Sequence, residues 1–210
     1  YEFRILIDDA HGFGYMGPTG AGADEAQGCQ QDIDLYFSTF VKSMGSIGAF
    51  ISGPKNVLKY LRYNVRSQIF AKSLPLMIVE GMLKRMEMVK AMPELREKLW
   101  HNVNRLQSGL KERGFDIGHA NSPVTPIYMK GDVPEATQMV MDLRENYHIF
   151  CSIVVYPVIP KGDIIYRLIP TAAHSDADID ETLTAFEATK KKLDAGAYKA
   201  VDIPDMAEVS

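Results

Sequence analysis

The stretch "IDLYFSTFVKSMGSIGAFISG" (Ile33–Gly53) holds two short β-prone runs, Ile33–Phe40 and Gly48–Gly53, joined by small residues around one lysine, Lys42. Runs rich in Ile, Phe and Tyr and bounded by glycine and polar residues read as strands. Upstream, "FRILIDDA" (Phe3–Ala10) is mostly apolar and ends in two acids, the pattern of a strand buried on both faces of a parallel sheet. Ligands in open α/β sheets bind beyond the carboxyl ends of strands. Asp8, Asp9 and His11 follow one such end, and Ser38, Thr39 and Lys42 stand at another.

Downstream the pattern turns helical. Pro54 suits a first helical position, with Val57, Leu58, Leu61 and Val65 at helical spacing. Ser73–Met92 reads as an amphipathic helix opened by Ser73 and Pro75. Pro93–Gly114 reads as another, with Leu95, Leu99, Val103, Leu106 and Leu110 on one face and Gly114 as the stop. The last third alternates: strand Ser122–Gly131, helix Pro134–Tyr147, strands Ile149–Ile159 and Asp163–Pro170. Helix Ser175–Leu193 then opens with a Ser-x-x-Asp capping box. The expected organisation is an α/β piece over residues 1–92, a small α+β domain over 93–196 and a loosely held tail over 197–210. A start at Tyr1 inside an apparent strand is what a fragment would show.

The 210 residues are 46% hydrophobic and 24% charged, as in an ordinary globular protein. A formal net charge of −4 argues against a nucleic acid held mainly by electrostatics. Cys29 and Cys151 lack CxxC spacing and suggest free thiols in a reducing compartment, so a cytoplasmic location is expected. No apolar run reaches the length of a membrane helix and no signal peptide is visible.

The stretch "DDAHGFGYMGPTGAG" (Asp8–Gly22) admits three chemistries. Asp-Asp-x-His could ligate a metal, but a structural zinc site needs four ligands and the other histidines are scattered. The glycines could cradle a phosphate, but no GK[ST] follows. The third is pyridoxal phosphate, which needs a Schiff-base lysine and a carboxylate to keep its pyridine nitrogen protonated. Asp8 at one strand end and Lys42 after the other are placed for those roles.

"LIDDAHGFGYMGPTGAG" and "DLYFSTFVKSMGSIGAFISG", with "QIFAKSLP" and "RLIPTAAHSDADID" further on, resemble the α-oxoamine synthases, pyridoxal-phosphate enzymes of aminotransferase fold type I. The bacterial serine palmitoyltransferase branch is the most similar. The resemblance implies the C-terminal part of the fold type I large domain followed by a small α+β domain. It also implies that Asp8 pairs with the pyridinium nitrogen and His11 contacts the cofactor's phenolic oxygen. Lys42 would form the Schiff base, and Thr39 would bond the phosphate or phenolic oxygen. Ser73 would reach the phosphate of a partner subunit's cofactor in a homodimer, and Arg167 would hold the substrate carboxylate. Asp9 becomes a spectator on the other face of its strand.

The implied reaction condenses an amino acid, L-serine first, with a long-chain acyl-CoA and releases carbon dioxide. The alternatives are glycine C-acetyltransferase, 8-amino-7-oxononanoate synthase, a catalytically silent partner subunit or an inert fragment. The resemblance also implies the N-terminal half of the same protein as a partner, and a peripheral membrane contact for the lipid substrate. Three positions depart from the pattern: Ile165 replaces the first arginine of "RLR", Val41 precedes the lysine instead of Ser or Gly, and His148 replaces a Gly.

Overall fold

The computed structural model describes residues 3–199, which fall into two compact units, Tyr1–Arg96 and Glu97–Ser210. In the first, β1 (Leu6–Asp8) runs parallel to β2 (Leu35–Thr39), and β2 pairs antiparallel with β3 (Ala49–Ser52), in the order β1-β2-β3. Between β1 and β2 the glycine-rich loop leads into the short helix α1 (Ala23–Gln27) and a 3-10 turn at Gln30–Asp32. After β3 come α2 (Lys55–Asn64), α3 (Arg66–Phe70) and α4 (Leu76–Ala91). The sheet is therefore mixed, and β1 is its edge. Leu6 and Asp8 are exposed and Ile7 is half-buried, where a strand buried on both faces was expected. Pro75, not Ser73, is the N-cap of α4, and Ser73 lies in the exposed segment before it.

The division between the units falls one turn into α5 (Pro93–Glu112). Arg96, in that first turn, donates to the carbonyls of Pro18 and Thr19, which ties it to the glycine loop of its own unit. Leu95 is 45% exposed, so the apolar face of α5 begins further along, at Val103, Leu106 and Leu110.

The second unit is a β-α-β-β-α sandwich, as the alternation of its sequence implies. β4 (Thr125–Lys130), β5 (Ser152–Val154) and β6 (Asp163–Leu168) form an antiparallel sheet in the order β4-β6-β5. The helices α5, α6 (Val133–Asn146) and α7 (Asp176–Asp194) bury Leu106, Leu110, Met139, Leu143, Leu183 and Phe186 with Ile127, Ile164 and Tyr166 from the strands. Each fully buried side chain of this size contributes about 1.5–3 kcal/mol. Gly109 permits the close approach of α5 and α7, since a Cβ there would lie 2.4 Å from a methyl of Leu183.

Both later helices open on capping boxes, Asp132 with Glu135 and Ser175 with Asp178. β5 is shorter than expected because Pro157 and Pro160, lacking N–H groups, cannot extend its pairing with β6. Of the tail, Tyr198 is buried and its hydroxyl donates to Asp142, contrary to a loosely held segment. Residues 200–210 lie outside the described residues. No helix among the described residues is long and apolar enough to cross a membrane.

Candidate active site

The parallel register sets Asp8 beside Phe37. Alternation along β2 then places Asp8, Phe37 and Thr39 on one face and Tyr36 and Ser38 on the other. The strand ends are locked together: Asp9 N–H donates to the Phe37 carbonyl at 2.8 Å, and the buried Ser38 hydroxyl donates to the Asp9 carbonyl at 3.1 Å. Lys42 sits in the loop closing the β2–β3 hairpin. Phe40 N–H donates to Gly48 O and Ser46 N–H to Phe40 O, while Gly45 N–H donates to Lys42 O at 3.2 Å. A rigid hairpin thus carries the lysine past the end of β2.

The two adjacent acids have opposite environments. Asp8 is exposed and accepts Ala10 N–H at 3.0 Å, whereas a buried carboxylate was expected there. Asp9, expected to be a spectator, does point to the other face, but it is 7% exposed and organises the loop. Its Oδ2 accepts the Tyr36 hydroxyl at 2.7 Å and the Ala23 N–H at 2.8 Å. Burial and this bond raise the Tyr36 phenol well above its ordinary pKa, and burial with the Asp9 charge pushes Tyr15 up to about 12. Gly12 and Gly22 are glycines because a Cβ at either would lie 2.1–2.2 Å from an Asp9 oxygen.

The loop amides do not form an anion cradle. Thr19 and Ala21 N–H donate to Glu25 Oε2 at 3.0 and 3.1 Å, and Ala23 N–H is taken by Asp9. Burial opposes the charge on Glu25, but these donors and the Thr19 hydroxyl outweigh it and hold the carboxyl below its ordinary range. Two carboxylates already fill the place a phosphate would need. A cavity of about 800 Å³, lined by Phe13, Tyr36, Met44, Phe50 and Met86, lies on this same face, away from Asp8 and Thr39.

On the Asp8 face the residues fit pyridoxal phosphate. Thr39 Oγ1 is buried without a hydrogen-bond partner among the described residues, an arrangement that costs about 1–3 kcal/mol unless a ligand satisfies it. The Lys42 side chain is exposed and makes no hydrogen bond or ion pair among the described residues. Asp8 keeps its second carboxylate oxygen outside any hydrogen bond of the described residues. His11 follows in the turn after β1, and Ser73 lies in the segment before α4 of the same unit. Val41, the residue before the lysine, is exposed.

Arg167 belongs to the second unit. It is half-buried on β6, as its strand neighbours imply, and its Nε donates to Ser152 Oγ at 3.1 Å. Sequence reasoning does not find Ser152, whose only signal is a polar residue inside the apolar run Ile149–Ile159. His148 adopts φ +57°, a left-handed conformation that explains why glycine is the residue of the resembling sequences at that point.

Residues 1–186 match the family model described as aminotransferase class I and II. A cysteate-C-fatty acyltransferase of Capnocytophaga ochracea is 62% identical over 96% of this chain and 48% of its own length. A serine palmitoyltransferase of Sphingobacterium spiritivorum is 35% identical over 87% of this chain and 45% of its own. A solved serine palmitoyltransferase carrying pyridoxal phosphate superposes with a TM-score of 0.84 at 30% identity, covering 91% of this chain and 48% of that one. The fold is thus the α/β fold of these transferases, and pyridoxal phosphate is the cofactor the likeness indicates. The chain spans about half the length of the curated relatives it matches.

Proposed function

Because the chain belongs to the aminotransferase class I and II family, we propose that it forms the lysine-bearing part of an acyltransferase of the α-oxoamine synthase type. The enzyme joins Cα of an amino acid to a long-chain acyl-CoA. Cysteate is the first-choice amino acid, supported by the 62% identical relative, and serine is the second, supported by the 35% identical one. The observation that carries the site is the buried hydroxyl of Thr39, unpartnered among the described residues, three residues before Lys42, whose side chain has no partner among them either.

When bound, pyridoxal phosphate supplies an electron sink for the charge that develops at Cα. Asp8 holds a proton on the pyridine nitrogen by ion pairing. Lys42 Nζ would carry the cofactor and, as a free amine, would remove the Cα proton. Thr39 Oγ1 would donate to a phosphate or phenolic oxygen, and His11 would contact the latter. Arg167 grips the substrate carboxylate with paired N–H groups. Cα would then bond to the acyl carbon as the thioester C–S bond breaks, the leaving CoA thiolate would take the proton that Lys42 removed, and the carboxylate would leave as carbon dioxide with a solvent proton taking its place on Cα.

The functional unit is a homodimer in which Ser73 reaches the partner's site. The exposed apolar residues Phe70, Leu76 and Met77 flanking Ser73 support that reading. The free thiols of Cys29 and Cys151 fit a reducing, cytoplasmic setting. The test is thiol release by the full-length holoenzyme, with cysteate, serine or glycine paired with palmitoyl-CoA or acetyl-CoA. The expected result is release from palmitoyl-CoA with cysteate as the best amino acid. Preference for acetyl-CoA or glycine would contradict it.

A further inference from the structure

Strand β6 is the centre of the second sheet, and its alternation sends Ile164, Tyr166 and Leu168 into the core. Arg167 therefore leaves the sheet on the opposite face, with Ser152 of β5 directly across from it on one side and Pro126 of β4 on the other. Its Nε donates to Ser152 Oγ at 3.1 Å, and among the described residues it has no carboxylate partner. Other arginines of this unit, Arg105 and Arg113, are paired with Asp180 and Glu187. A half-buried guanidinium held at one nitrogen and unpaired at the other two is arranged for an anion that comes from outside.

We propose that Ser152 is the positioning residue of the carboxylate site: by engaging Nε of Arg167 it presents both Nη groups, end-on, to the two carboxylate oxygens of the amino-acid substrate. This rests on the reading of Arg167 as the residue that holds that carboxylate. A guanidinium offers a carboxylate two double-donor edges, one through Nε and Nη and one through the two Nη groups. With Nε–H taken by Ser152, only the end-on edge keeps two free donors. The bond also fixes a side chain that otherwise carries large rotamer entropy, so the ordering cost is met before the substrate arrives. Ser152 touches no substrate atom in this scheme and acts through Arg167.

The experiment compares Ser152→Ala, Ser152→Thr and Arg167→Lys in the full-length holoenzyme. Ser152→Ala is expected to raise KM for cysteate and serine roughly five- to tenfold, with kcat changed less than about twofold, as loss of preorganisation predicts. Ser152→Thr, which keeps Oγ, is expected to restore the original KM. Taurine and ethanolamine, which are cysteate and serine without the carboxylate, are expected to inhibit Ser152→Ala and the parent equally. Binding of the four amines by calorimetry gives the same ranking without turnover. An unchanged KM in Ser152→Ala, a raised KM in Ser152→Thr, or equal weakening of taurine and cysteate would each overturn the proposal. If Arg167→Lys raises KM while Ser152→Ala does not, the role of Ser152 fails and that of Arg167 stands. If Arg167→Lys leaves KM unchanged, the reading of Arg167 itself fails.

Discussion

Asp8 and Asp9 are adjacent, carry the same carboxylate and do opposite things. Asp9 is buried with two donors on one oxygen, so its removal strands the Ala23 N–H and leaves the Tyr36 hydroxyl with the Ala21 carbonyl alone. A stranded donor costs about 1–3 kcal/mol and the lost Tyr36 bond about 0.5–1.5 kcal/mol, which puts Asp9→Ala at about 1.5–4.5 kcal/mol of lost stability in thermal or denaturant unfolding. Asp8 is exposed with one local bond, so Asp8→Ala is expected within about 1 kcal/mol of the parent while lowering cofactor affinity. Equal stability losses in the two variants would contradict this division of labour. Strand parity alone, readable in the sequence, separates the two acids onto opposite faces. The sequence does not say which face is covered, because the donors to Asp9 arrive from the loop and from the neighbouring strand.

At the scale of elements, the second unit is held by charge as well as by its apolar core. Asp142 on α6 accepts from Lys192 on α7, from Asn146 and from the Tyr198 hydroxyl. Burial disfavours its charge, but these bonds outweigh that and hold its carboxyl below the ordinary range. Its contribution is therefore present above the unfolded carboxylate value, about 3.9, and is lost as pH falls through the lower folded value. Asp142→Asn is expected to be less stable than the parent at neutral pH and to show a smaller loss between about pH 5 and pH 2 in acid-unfolding curves. A variant that keeps the parent's full acid dependence would contradict it.

Helices α6 and α7 are legible in the sequence because their signals are local: Asp132 with Glu135, Ser175 with Asp178, and apolar residues at helical spacing. The start of β5 and the docking of Tyr198 are not, since they depend on partners in β6 and α6.

At the scale of the whole molecule, the family was readable from two blocks, because one pairs an acid with a strand end and the other a lysine with a hairpin. The placement of Asp8 and Thr39 on one face follows from strand register, and the hairpin sets Lys42 beyond it. The cost of leaving Thr39 Oγ1 unpartnered and the fit of these residues to pyridoxal phosphate became visible only in three dimensions. Ser152 depends on a cross-strand pairing that no local pattern announces.

The central claim is that Lys42 is the lysine that holds the cofactor. Borohydride reduction of the full-length holoenzyme, followed by digestion and mass spectrometry, fixes the cofactor covalently to whichever lysine carries it. The phosphopyridoxyl mass is predicted on the peptide containing Lys42 and is absent from Lys42→Ala. A label on Lys55 or Lys72, or an unchanged cofactor absorbance in Lys42→Ala, would contradict the account.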